Sequence, residues 1–231
     1  MTGTLDGKWA LVTGSSRGIG QQVALGLAQH GCNVIVHARK LASTAATLAL
    51  LAPTGVEALA AAGDLATADG IAAVVAAVKD GPGHVDILYN NAAVSLPGHP
   101  LWEIPSEDWD LTFKVNVFAM VELCRALAPA MVAQNWGRIV NVSSGIKDQP
   151  NLAAYSVSKA AVDKYTQDLA AELRGTHVLA NYIDPGWLKT DMGGPDAPGA
   201  VESVLPGALV PVLLPDDGPS GQHFRAQDYA A

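Results

Sequence analysis

Short apolar runs alternate along the chain with alanine-rich stretches whose apolar positions recur at helical spacing. The runs KWALVTG, CNVIVHA, VEALAA, VDILYNN, GRIVNVSS and HVLANYID read as strands. Between them, the stretches 18–30, 43–51, 67–79, 106–135 and 151–174 read as helices. Strands that are apolar on both faces and separated by helices imply a parallel sheet covered on both sides. The alternation runs without a linker, repeat or low-complexity segment. The expected architecture is therefore one α/β domain over residues 1–231, a doubly wound parallel β-sheet with helices on both faces. Beyond Pro185 the pattern loosens into the turn formers GGPDAPG and LPDDGPSG. A helix at about 200–214 and a last strand at SGQHFR are expected to close the sheet.

Composition narrows the function classes. With 49% hydrophobic residues in 231, the chain can bury a sizeable core and is not expected to be disordered. A net charge of −8 with no basic run disfavours a protein that tracks nucleic-acid phosphates. No apolar stretch approaches the roughly 20 residues of a membrane span. The opening MTGTLDGKWALVTG reads as a first strand rather than a signal peptide. Cys32 and Cys124 lie far apart in apolar surroundings and read as buried free thiols, which points to the cytoplasm. The six histidines are scattered without ligand spacing, so no metal site is expected; His37 alone is placed near a nucleotide base.

The stretch LVTGSSRGIGQQVALGLAQHG is a strand, a glycine-bearing turn and a helix. Gly14, Gly18 and Gly20 allow a tight turn, close backbone approach to a diphosphate and close helix–strand packing, as in a Rossmann-type nucleotide site. The free N–H groups and positive end of the following helix would then meet the diphosphate. The second strand ends VIVHARK, with Ala38 where NAD sites place the acid that binds the ribose 2′-hydroxyl. Arg39 follows, and Arg17 stands inside the glycine loop. Guanidiniums bind phosphate in bidentate fashion, so this pair favours NADP(H) over NAD(H). Two solvated surface arginines are the plain alternative.

Further on, SSGIKDQPNLAAYSVSKA places Tyr155 and Lys159 four residues apart, on one face of a helix. A cation beside a phenol favours the phenolate and lowers its pKa from about 10. A tyrosine tuned in this way exchanges protons near neutral pH.

With these pieces in order, the chain resembles the short-chain dehydrogenase/reductase family. The motifs are TGSSRGIG, NNAA, VN ending at Asn116, NVSS, YSVSK and PGWLKT, spanning roughly residues 7–192. From Gly186 onward, GWLKTDMGGPDAP is similar to the family's carbonyl-reductase-like branch. The resemblance implies Asn116, Ser144, Tyr155 and Lys159 as the catalytic set, with Asn116 fixing a water on the proton path to Lys159. It implies that Gly14, Ser16, Arg17, Gly18, Ile19 and Gly20 hold the diphosphate and the 2′-phosphate end, with Arg39 beside them. Asp64 and Leu65 would border the adenine, and Asn91, Ala92 and Ala93 would line the adenosine ribose and floor the pocket. Pro185, Gly186, Leu188 and Thr190 would sit at the nicotinamide end, where Lys159 also contacts the ribose.

Two departures stand out. Ser144 precedes Tyr155 by eleven positions, shorter than the family's usual spacing, so the loop between them is trimmed. Alignment on the strand still selects Ser144 over Ser143. Ala93 stands where the family has glycine. The implied activity is reversible hydride transfer between NADP(H) and a ketone or aldehyde and its alcohol. Rival readings are a sugar, polyol or steroid alcohol dehydrogenase working in oxidation, and a cofactor sensor without turnover. The segment 186–205 and the stretch VSLPGHPLWEIP would form the substrate rims, with Val94, Leu96, Trp102, Trp187 and Met192 either as apolar lining or as plain packing. The family commonly packs its helices into dimers and tetramers, so a homodimer or homotetramer is expected.

Overall fold

The computed structural model describes residues 5–96 and 98–229. The first four residues, Pro97 of the expected rim and the last two residues lie outside them. Seven parallel strands form one sheet in the order β3-β2-β1-β4-β5-β6-β7. They are β1 (Trp9–Val12), β2 (Asn33–Ala38), β3 (Ala58–Ala62), β4 (Ile87–Asn90), β5 (Gly137–Val142), β6 (Val178–Asp184) and β7 (His223–Arg225). The helices are α1 (Gly18–Gln29), α2 (Ala45–Leu51), α3 (Ala68–Asp80), α4 (Ser106–Phe113), α5 (Ala119–Ala133) and α6 (Ala153–Glu172).

Every residue of β4, β5 and β6 is buried, as central strands covered on both faces require. One core layer packs Val23 and Leu27 of α1 with Leu51 of α2 and Leu209. The other packs Val74 of α3, Leu123 of α5 and Val162 of α6 against the opposite face. The run Ser106–Ala133 is long and apolar enough to cross a membrane by composition, but half of its most apolar window is buried within the fold. Cys32 and Cys124 are buried free thiols, as expected.

Two expected helices are built differently. The run 106–135 is helical from Ser106 to Ala133, but a π turn at Lys114–Phe118 interrupts the α-helical ladder between α4 and α5 and carries Asn116. Such turns open the backbone ladder locally and are frequent at functional sites. The helix expected at 200–214 is instead two short 3₁₀ turns, Val201–Val204 and Gly207–Leu209. The apolar spacing was helical, and Val204, Ala208 and Val212 are indeed buried. Pro206 and Pro211, which cannot donate backbone hydrogen bonds, prevent a regular helix. The segment packs on α1 at Gly26, where a Cβ would meet Leu209 Cδ1 at 2.9 Å and Leu205 Cδ2 at 3.0 Å.

The end of the sheet away from the glycine loop is tied by buried Arg138. Its guanidinium donates to the carbonyls of His177 (3.0 Å) and Leu214 (2.9 Å), pairs with Asp216 (2.8 Å), and lies 4.5 Å from the Trp136 ring centre. The chain winds outward through β1, β2 and β3 and then returns to place β4 against β1. That reversal opens a crevice at the carboxyl ends of β1 and β4, the place where doubly wound sheets bind ligands.

Candidate active site

The glycine loop leaves β1 at this crevice. Gly14 (φ 64°) and Gly18 (φ 60°) occupy the left-handed region, which glycine enters without strain. A Cβ on Gly20 would stand 2.5 Å from Asn91 Nδ2 and 2.6 Å from the Gly14 carbonyl. The start of α1 therefore lies against the loop only because Gly20 lacks a side chain. Asn91 donates from Nδ2 to the carbonyls of Thr13 (2.8 Å) and Gly14 (3.2 Å). Thr13 Oγ1 in turn accepts from the N–H groups of Asn91 and Ala92, both at 3.0 Å. The segment Asn91–Ala92 thus braces the loop, with Ala93 next in chain and half-buried.

Among the described residues no side chain caps the N terminus of α1, and its first turn contains no acid. Unpaired N–H groups at the positive end of a helix fit a diphosphate, so the residues present suit the cofactor that the motif implies. Ser16 and Ile19 are half-buried beside these groups. Arg17 and Arg39 are both exposed. They are not engaged alike: Arg17 Nε pairs with Asp191 Oδ2 at 2.9 Å, tying the glycine loop to the segment after Thr190. Arg39 forms no ion pair among the described residues.

Asp64 is exposed and accepts from the Ala66 N–H at 2.9 Å, while Leu65 is buried in the core. At the far end of the crevice, the Asp184 carboxylate accepts from the Gly186 N–H (2.9 Å), and the Pro185 carbonyl accepts from Gln227 (3.0 Å). Thr190 Cγ2 would lie 3.5 Å from a Cβ on Gly18, so the two expected cofactor segments meet. Leu188 buries its side chain in the core, leaving its backbone for any ligand contact. The segment 186–205 folds on itself: Lys189 N donates to Gly199 O (2.8 Å) and Trp187 Nε1 to Gly193 O (2.8 Å).

At the carboxyl ends of β4 and β5, α6 presents Tyr155 and Lys159. Lys159 is buried, and its Nζ donates to the Val142 carbonyl at 2.7 Å and lies 5.6 Å from the Tyr155 ring centre. Hydrogen bonding by the Ser144 hydroxyl favours the ionised form of the Tyr155 phenol. Ser143 is buried on the other side of the chain, where its hydroxyl donates to Asp163. Ser144 Oγ also accepts from the Ile146 N–H (3.2 Å), at the start of the trimmed loop. The loop turns at Asp148 (φ 53°), a residue type that tolerates the left-handed region. Asn116 does not point freely at Lys159. Its amide clamps Val94, accepting from N (2.8 Å) and donating to O (2.9 Å), and also donates to Ser158 Oγ (3.0 Å). Any role toward Lys159 would pass through the backbone of its π turn.

Comparison with known proteins identifies the family. The short chain dehydrogenase family profile matches residues 8–199. The chain belongs to the short-chain dehydrogenase family. A short-chain type dehydrogenase/reductase of Picea abies is 35% identical over 240 residues, covering 93% of this chain and 88% of that one. The structure of a 3-oxoacyl (acyl-carrier-protein) reductase from Agrobacterium tumefaciens C58 with NADP bound superposes with TM-score 0.86 at 30% identity, covering 97% of this chain and 94% of that one. An NAD⁺-bound xylitol dehydrogenase gives TM-score 0.86 at 26% identity, covering 96% of this chain and 98% of that one. Short-chain dehydrogenases are oxidoreductases that bind a nicotinamide cofactor and act on small molecules.

In this short-chain dehydrogenase, burial pulls the Lys159 ammonium down to about 8, against the pull of Asp163. Burial raises the Tyr155 phenol, Ser144 hydrogen bonding lowers it, and the Asp184 carboxylate raises it. In the ligand-free state burial thus outweighs stabilisation of the phenolate. Sequence reasoning missed how His37 is used. Its Nδ1 accepts from the Gly14 N–H (3.0 Å) and its Nε2 bonds the Gly63 carbonyl (3.0 Å), which fixes one neutral tautomer. Burial lowers its pKa, keeping it in that form. The signal was only a histidine two residues before Arg39 in a buried strand. Leu96 lines a recess beside Tyr155 with Ile104 and Leu152, and Trp102, Trp187 and Met192 are exposed.

Proposed function

We propose that this enzyme is an NADP(H)-dependent reductase of ketones or aldehydes, working reversibly. The observation that carries this reading is the convergence of Ser144 and Lys159 on Tyr155 at the carboxyl end of the sheet, beside an uncapped α1 N terminus. The bound nicotinamide supplies or accepts the hydride. Ser144 hydrogen-bonds the substrate oxygen, and Tyr155 delivers its hydroxyl proton to the oxygen as negative charge develops there. The Lys159 ammonium stabilises the phenolate left behind. A water-sized cavity lined by Thr13, Asn90, Asn116 and Lys159 supports resupply of the proton from the interior side. Gly14, Ser16, Gly18, Ile19 and Gly20 hold the diphosphate. Pro185, Gly186, Leu188 and Thr190 take the nicotinamide end. Asp64, Leu65 and the segment 91–93 take the adenosine end.

The NADP(H) preference rests on Ala38 and Arg39, with Arg17 available once released from Asp191. Arg39→Asp should lower the NADPH/NADH ratio of kcat/KM by about tenfold or more, the worth of one hydrogen bond to a charged group. Steady-state kinetics with both cofactors measures this, and an unchanged ratio would make Arg39 a bystander. Ser144→Ala should slow turnover substantially, and Ser143→Ala much less; the reverse order would mean that Ser143 is the substrate-facing serine. A polyol- or sugar-oxidising dehydrogenase is the second reading, favoured by the likeness to the xylitol dehydrogenase. A homodimer or homotetramer in the cytoplasm completes the proposal, supported by exposed Leu111, Phe118 and Val157 on α4, the π turn and α6. A screen of ketones, aldehydes, sugars and polyols in both directions with NADP(H) and NAD(H) tests the whole reading.

A further inference from the structure

Behind the proton-transfer pair lies a group that the motif reading does not use. Asp163 stands four residues beyond Lys159 on α6, so the two share a helix face. The Val142 carbonyl holds Lys159, and the next residue, Ser143, donates its hydroxyl to the Asp163 carboxylate. Two consecutive residues of one strand end thus fix the lysine and the acid. Other charged groups face Asp163 from each packed element. Asp184 ends β6 and lies 3.9 Å from Arg225 of β7. His223 of β7 stacks on Tyr182 with ring centres 5.1 Å apart. Burial, with a smaller push from Asp184, moves the Asp163 carboxyl up, whereas Ser143, His223 and Lys159 hold it down.

We infer that Asp163 is a positioning residue that acts through Lys159: its carboxylate keeps the buried ammonium charged beside Tyr155. The inference rests on the proposed reductase reading. Lys159 is buried with a carbonyl as its hydrogen-bond partner, and a buried ammonium is retained only where negative charge offsets its desolvation. Asp163 supplies that charge from within one helical turn. Removing a negative charge lowers the pKa of every neighbouring acid, so both Lys159 and Tyr155 would release protons at lower pH.

The test is the pH dependence of the purified full chain. Reduction needs the protonated pair, so its kcat/KM falls on the alkaline side. Asp163→Asn, which keeps an acceptor for Ser143, should move that limb down by about one pH unit, the size expected of a unit charge roughly 6 Å away under intermediate screening. Asp163→Glu should restore the limb, and Ser143→Ala, which keeps the charge, should leave it in place. His223→Lys, at an exposed position, sets a fixed cation against Asp163 and should shift the limb the same way even if Asp163→Asn does not fold. Phenolate absorbance read as the difference from a Tyr155→Phe partner gives the same shift without turnover. If no carbonyl substrate is turned over, the reductase reading fails while the phenolate titration still decides the role of Asp163. Limb and phenolate midpoints that stay in place in Asp163→Asn and His223→Lys, or that move equally in Ser143→Ala, would overturn the inference and leave Asp163 a loop brace.

Discussion

Tyr155→Phe is expected to lower kcat for carbonyl reduction by about 10²- to 10⁴-fold, the usual worth of a positioned general acid. The substitution removes one oxygen and keeps the ring, which is half-buried beside Ser144 and Lys159. Packing in the recess with Leu96, Ile104 and Leu152 should survive, so the fold and NADPH binding should be retained. The loss should therefore appear in kcat rather than in cofactor affinity, read by stopped assays alongside a fluorescence titration of NADPH. Near-normal turnover in this variant would sink the proposed mechanism.

Lys159→Ala should cost at least as much, because one side chain serves two ends. It supplies the cation beside the phenol, and in the proposed complex it also contacts the nicotinamide ribose. It further leaves the buried Val142 carbonyl without its donor, at a cost of about 1–3 kcal/mol in stability. A fall in Tm should accompany the fall in kcat and the weaker NADPH binding. The Tyr155→Phe/Lys159→Ala double variant should be little slower than the worse single one, since the two act as a unit. Losses that multiply would mean that the residues act independently.

Much of this was legible in the sequence because the deciding signals are local. A strand that leads into glycines and then a helix, or a Tyr and Lys four apart, needs no knowledge of distant contacts. The different surroundings of Ser143 and Ser144 follow from local pattern too: alternation at the end of β5 sends neighbouring residues to opposite sides, and the structure puts Ser143 against Asp163. The segment after Val201 was half legible. Its apolar positions are buried at helical spacing, yet its prolines give 3₁₀ turns, so pattern and backbone propensity disagreed and the backbone followed the prolines.

What stayed hidden depends on convergence across the sheet. His37 belongs to β2, but its partners are Gly14 after β1 and Gly63 after β3, which only strand order brings together. The two carbonyl and amide contacts of Asn116 to Val94 need the π turn, which no residue pattern announced. The pairing of Arg17 with Asp191 likewise joins segments far apart in the chain, and of the two arginines expected at the 2′-phosphate it leaves only Arg39 without an ion pair among the described residues.

In the proposed reaction a hydride passes to a carbonyl carbon while Tyr155 gives the proton. The most direct measurement uses NADPH deuterated at the nicotinamide C4, a ketone that the activity screen identifies, and mass analysis of the product. The expected result is deuterium at the new carbinol carbon, formed in step with NADPH consumption and nearly abolished by Tyr155→Phe. Products without deuterium, or no cofactor consumption across the screen with either NADPH or NADH, would contradict it.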